Sequence, residues 1–86
     1  DSLAWVLFRR GKLADARELL ERAVRLPDAV ADGVVWDHLG DVAFRQGDAA
    51  RAREAWATAE GLYRGTRQGL EAGRLDEVRR KLTRVP

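Results

Sequence analysis

Apolar residues recur along this chain at three- and four-residue intervals, interrupted by short polar or glycine-containing breaks. From Trp36 to Ala59 the pattern reads as two helices folded back on each other. An apolar-periodic segment leads to a turn at Gly47-Asp48, and a second segment then places Ala52, Trp56 and Ala59 on one face. The same reading predicts a helix over residues 2–10, a break at Gly11-Lys12, and a helix over 13–26. Pro27 ends that helix, because proline lacks the N–H and clashes with the preceding turn. Residues 34–46 and 49–62 form the next pair, with Asp32 and Asp48 as N-caps. Beyond Gly73, RLDEVRRKLTRV sets Leu75, Val78 and Leu82 on one stripe with charges opposite, an amphipathic helix over 74–84.

Two of these hairpins are copies of each other. Sliding the sequence by 36 residues aligns Asp1 with Asp37, Leu3 with Leu39, Val6 with Val42, Phe8 with Phe44, Arg9 with Arg45 and Gly11 with Gly47. The gapless overlap of 26 positions holds twelve identities. One domain over residues 1–86 follows, with a truncated first hairpin at 1–27, a second at 33–62, a glycine-rich connection at 63–73 and a final helix at 74–84. Gly61, Gly65, Gly69 and Gly73 recur every fourth residue among polar neighbours. A loop or frayed helix end fits that spacing, and so does a helix with a small-residue face, although each glycine inside a helix costs about 1 kcal/mol relative to alanine.

Trp36-x2-Leu39-Gly40, Gly47, Ala52-x3-Trp56 and Ala59 resemble the tetratricopeptide repeat, whose pattern is W-x2-L-G-x2-Y followed by A-x3-F and a later alanine. Ala43 stands where the pattern has tyrosine, and Ala4 replaces the glycine in the first copy. The resemblance implies an all-α fold of antiparallel helical hairpins stacked as a short right-handed solenoid with a C-terminal capping helix. Small residues at Gly40, Ala16, Ala23, Ala52 and Ala59 are expected to let helix backbones approach, with Leu3, Leu20, Leu39 and Trp56 filling the space between. The DSLAW and DHLGD openings are similar to the closing repeats of longer bacterial tetratricopeptide proteins, some tied to the cell envelope. Cytoplasmic and envelope placements both stay open.

Composition narrows the chemistry. Hydrophobic residues make up 45% and charged residues 35% of the chain, isoleucine is absent and threonine scarce, which suits helices and argues against a sheet. A domain of this length buries about 60–65% of its unfolded surface, so modest stability is expected. Without cysteine there is no disulfide framework, thiolate nucleophile or zinc knuckle. Ser2 is the only serine and His38 the only histidine, no phosphate loop occurs, and the chain is read as non-catalytic and without cofactor. Asp37, His38 and Asp41 share a helix face that is read as solvated polar surface rather than a metal site. Glu18, Glu21, Glu54 and Glu60 are read as carboxylates paired with nearby arginines. No apolar run reaches the roughly 18 residues of a membrane span, and no secretory signal opens the chain. Methionine is absent, from which the sequence is expected to begin inside a longer or processed polypeptide.

Net charge is +2 but uneven: residues 62–86 carry seven basic residues against Glu71, Asp76 and Glu77, a local +4 that leaves −2 elsewhere. This tail is read first as a charged, solvated cap docked on residues 49–62, then as a site for an acidic protein, and last as one for nucleic acid or an anionic surface.

The resemblance also implies a partner site. In the family, the first helix of each hairpin lines a concave surface that holds an extended peptide or a partner helix. Carried onto matching positions, that groove takes Asp1, Trp5, Phe8 and Arg9 from the first copy. It takes Val34, Asp37, Asp41, Phe44 and Arg45 from the second, with His38 at its edge. Asp37, Asp41 and Arg45, beside Trp5 and Arg9, are expected to select the partner. Trp5 is either an anchor for it or a ring packed among its own neighbours. The family's carboxylate clamp of Lys, Asn and Arg is absent, and Asp1, Asp37 and Asp41 are expected to repel a peptide C-terminus. A protein-interaction scaffold is the leading reading. Its rival is an assembly element, in which Leu3, Val6 and Leu7 offer apolar surface to a second copy or a neighbouring hairpin.

Overall fold

The computed structural model describes residues 2–26, 32–64 and 73–85, which hold the helices α1 (Ser2–Arg9), α2 (Leu13–Ala23), α3 (Gly33–Arg45), α4 (Ala49–Tyr63) and α5 (Arg74–Leu82). Asp1, together with Gly65 and Gly69 of the glycine-rich connection, lies outside the described residues. Among the described residues there is no strand, and each helix packs on the next along the chain, so the fold is all-α.

Local sequence explains where the helices stop. Gly11 and Gly47, at matching places in the two copies, take φ of 79° and 84°, a left-handed conformation that glycine adopts without Cβ strain. Around each the last turn closes in the same way. Gly11 N–H donates to the Phe8 carbonyl at 3.0 Å and Lys12 N–H to that of Leu7 at 2.9 Å, while Gly47 N–H donates to Phe44 at 3.0 Å and Asp48 N–H to Ala43 at 2.9 Å. These are the paired bonds of a Schellman end. Asp32 Oδ1 accepts from Val34 N–H at 2.9 Å and Asp48 Oδ1 from Arg51 N–H at 3.1 Å, so both aspartates cap as expected. Helix α2 stops at Ala23, short of the expected 26, and Arg25 and Leu26 close on the Arg22 and Ala23 carbonyls at 3.2 and 3.0 Å. A residue that precedes proline is steered away from the α region, so helical geometry lapses ahead of Pro27.

Within the second hairpin, rings on α4 lie over glycines on α3. A Cβ built at Gly40 would sit 2.3 Å from Trp56 Cδ1 and 2.4 Å from its Nε1, and one at Gly33 would sit 2.6 Å from Tyr63 Cε1. In the first hairpin the places of Gly40 and Trp56 are held by Ala4 and Leu20, which are buried in one cluster. A smaller side chain on one helix leaves room for a methyl on the other.

Two cores result. Ala4, Ala16, Leu20 and Val24 of the first hairpin meet Val35, Leu39, Val42 and Ala55 of the second. Trp56, Tyr63, Ala43, Ala52 and Ala59 of the second hairpin meet Val78 and Val85 at the C-terminal helix. Leu3 departs from expectation: it is 61% exposed, whereas its counterpart Leu39 is fully buried. Leu39 sits in the cluster that α2 helps to build, whereas among the described residues no helix packs over Leu3.

Ion pairs fasten hairpin to hairpin. Arg51 donates to both oxygens of Glu21, at 3.1 and 2.6 Å, and Arg17 pairs with Asp48 at 3.0 Å. The Arg51 hydrogen bond holds the Glu21 carboxyl below its ordinary range. Glu18 pairs with Arg22, Glu54 with Arg51 and Glu60 with Arg79, so all four glutamates meet an arginine. Partly exposed pairs of this kind contribute about 1 kcal/mol or less each. Glu21, Asp48 and Arg51 correspond by repeat to Ala57, Lys12 and Asp15. Three of the four junction residues therefore sit at positions where the copies differ, Arg17 being matched by Arg53.

Candidate functional site

Residues of α1, α3 and α5 enclose a groove made of two adjoining cavities, about 370 and 220 Å³, that share Asp41 and Lys81. Trp5 of α1, Val34, Asp37 and His38 of α3, and Arg74 and Glu77 of α5 complete the larger one. Phe8, Phe44, Arg45, Trp56 and Arg84 complete the smaller.

Aromatic residues form one wall. The i, i+3 spacing of Trp5 and Phe8 places them together on α1, where they stack at 4.9 Å between centroids. Trp5 also stacks on His38 of α3, at 4.2 Å and 20° between planes. The Arg45 guanidinium lies 5.2 Å above the Phe8 ring, within cation–π range, and Phe44 tilts against Trp56 at 5.4 Å.

Lys81 forms the floor. Its Nζ lies 2.9 Å from Asp37 Oδ1, 2.9 Å from Asp41 Oδ1 and 3.7 Å from Glu77 Oε1. Asp37 Oδ2 accepts from the Tyr63 hydroxyl at 3.1 Å, and Trp56 Nε1 donates to the Asp37 carbonyl at 3.3 Å and to Asp41 Oδ1 at 3.2 Å. The solvated polar face expected for Asp37 and Asp41 is thus corrected: Asp37 is only 4% exposed, and α5 covers that side of α3 with an ammonium. Burying a carboxylate costs free energy unless it is paired and hydrogen-bonded, and Lys81 and Tyr63 meet that condition for Asp37.

Protonation follows from the same geometry. Burial raises the Asp41 carboxyl above its ordinary 3.8 in spite of Lys81, because one ammonium serves three carboxylates. Burial works against the charge on Lys81, but the hydrogen bond to Asp37 and the attraction of Asp41 outweigh it and raise its pKa above 10.5. Burial, and then the Asp37 carboxylate, push the Tyr63 phenol well above 10.0. Burial also lowers His38 below 6.5 against the pull of Asp41 and Asp37, so the ring stacked on Trp5 is neutral at neutral pH.

An alkaline transition is expected from Tyr63 and Lys81. Both hold their protons more tightly in the fold than in the unfolded chain. The stability they add is therefore complete below about pH 10 and is lost as pH rises through the folded-state values. Urea melts followed by circular dichroism between about pH 9 and pH 12 should show a midpoint that holds to about pH 10 and falls beyond it, and Tyr63→Phe should lessen the fall. A midpoint that is flat across this range would contradict it.

Trp5, Phe8, Val34, Asp37, His38, Asp41, Phe44 and Arg45 all line the groove. Arg9 instead lies with Val6 and Arg10 at a separate shallow cavity of about 300 Å³. Asp1 falls outside the described residues. Sequence reasoning missed the contribution of α5, whose Arg74, Glu77, Lys81 and Arg84 follow one another at three- and four-residue steps. That charged stripe runs beside Leu75, Val78 and Leu82, and its spacing was the available signal. Arg79 is held by Glu60 at 3.0 Å and Lys81 by the aspartates, so part of the tail's positive charge is already matched within the chain.

Two family models, both described as tetratricopeptide repeat, match residues 1–26 and 34–58, the two copies identified from the internal repeat. No curated protein and no solved structure matches the chain.

Proposed function

The chain belongs to the tetratricopeptide repeat family, and we propose that it is a non-catalytic scaffold that holds a peptide or a partner helix in the groove between α1, α3 and α5. The observation that supports this reading is a groove of two adjoining cavities with a stacked, half-buried Trp5 in its wall. Large rings that present area at low entropic cost are the usual anchors of such contacts. Peptides selected from a random library on the immobilised domain should shift amide resonances of α1, α3 and α5, and Trp5→Ala should weaken their binding about tenfold. Shifts confined to other surfaces would refute it.

A second reading, assembly through the N-terminal face, draws on the exposure of Leu3 at 61% and Val6 at 46%. It requires a concentration-dependent dimer in sedimentation that Leu3→Asp dissolves, and a monomer at high concentration would end it.

A further inference from the structure

The smaller cavity has a composition of its own. Its lining includes the rings of Phe8, Phe44 and Trp56 and three cations, the exposed Arg45 and Arg84 and the Lys81 of the floor. The acid among its lining residues is Asp41, and that carboxylate is already engaged by Lys81 at 2.9 Å and by Trp56 Nε1 at 3.2 Å. Among the described residues, neither Arg45 nor Arg84 makes an ion pair with a carboxylate. Arg45 is placed by its contact with the Phe8 ring face. That contact uses the guanidinium's charge and consumes none of its N–H donors in an ion pair, so they remain able to bond an anion. The larger cavity differs: Asp37, Asp41 and Glu77 there outnumber Lys81 and Arg74, and His38 is neutral.

Resting on the groove reading above, we infer that the groove takes an acidic peptide segment, with one apolar side chain seated among Phe8, Phe44 and Trp56 and flanking carboxylates met by Arg45 and Arg84. Charge complementarity identifies the occupant. Lys81 lies between Asp37 and Asp41 and offsets one of their two charges, and Arg45 and Arg84 bring two more positive charges to the neighbouring cavity. A nucleic-acid strand would satisfy the arginines but needs an open ring face on which to stack a base, and here Trp56 is buried and the Phe8 ring already carries Arg45. A peptide supplies the apolar group and the anion together. It would also lie in one direction, its acidic end toward Arg84 and its less acidic end toward Glu77.

The probe is a fluorescein-labelled peptide with one Phe flanked by Glu and Asp, titrated into the full chain and followed by anisotropy. Three comparisons accompany it: the same peptide with Lys for each acid, the same peptide with Ala for Phe, and a mixed single-stranded oligonucleotide. The acidic peptide should bind with amide shifts at Phe44 and Arg45. The Lys version and the Ala version should each bind about tenfold more weakly. Arg45→Gln combined with Arg84→Gln, at two exposed positions, should weaken the acidic peptide about tenfold and should not weaken the Lys peptide. Circular dichroism checks that the variant is folded, and Arg84→Gln alone provides a milder second variant. Equal binding of acidic and Lys peptides, both weakened by Trp5→Ala, would overturn the inference and keep the groove. Binding of no peptide, with no shift in α1, α3 or α5, would overturn both. Tighter binding of the oligonucleotide, lost in the arginine variant, would overturn the inference in favour of a nucleic-acid partner.

Discussion

Replacing Trp56 with alanine is expected to cost about 3–5 kcal/mol of folding free energy, a large part of the 5–15 kcal/mol typical of a domain. The ring is the largest fully buried side chain, packed in the core beneath α5. Its loss would also leave the Asp37 carbonyl and Asp41 Oδ1 without the indole donor. Urea unfolding followed by circular dichroism measures the loss, and a cost below about 1 kcal/mol would mean that the ring is not seated as described. Gly40 offers a sharper check. In the native chain Gly40→Ala drives a methyl into Trp56 and should cost about 1–3 kcal/mol. In the Trp56→Ala background the same change should be neutral or stabilising by up to about 1 kcal/mol, because alanine is the better helix former. Strict additivity of the two substitutions would contradict direct contact between them.

Lys81→Met is expected to have the next largest effect, about 3 kcal/mol, since it leaves two aspartates facing each other beneath α5 without their ammonium. The stem of methionine keeps most of the packing, so the loss reports charge. Asp41, whose pKa is already raised, should rise further in this variant. A raised carboxyl adds stability below its unfolded pKa, and that stability is lost as pH climbs through the folded value. The variant's deficit against the native chain should therefore shrink as pH falls from neutrality toward the ordinary aspartate range. A deficit independent of pH would assign the loss to packing instead.

Most of the scaffold was legible because its rules are local. The shift of 36 residues set Gly11 against Gly47, and both close their helices with the same pair of bonds. Asp32 and Asp48 announced their caps by residue type and position. The all-α class and the family followed from the same spacing. Burial was less legible where it depends on a neighbour rather than on the repeat. Leu3 and Leu39 occupy one repeat position, yet among the described residues α2 covers Leu39 and no helix covers Leu3. The groove was half legible. Trp5, His38 and Phe44 lie on helices whose periodicity fixes their faces, but Lys81 reaches Asp37 across 44 positions of sequence. No spacing within one helix signals that an aspartate on α3 will be neutralised from α5. Reading α5 as a solvated cap therefore concealed a third wall of the site.

The seating of Trp56 over Gly40 also says which segments of this chain are exchangeable. Two copies in register invite unequal crossover between them, and a join inside a hairpin would separate partners that fit only each other. Coupling α1 to α4 would put the Ala4 methyl in the place of Gly40, about 2 Å from the indole. Coupling α3 to α2 would set Gly40 opposite Leu20 and leave a hole. A join at residues 27–32, between the hairpins, keeps each small residue with its own large one. The unit of inheritance and of engineering here is the hairpin, not the helix.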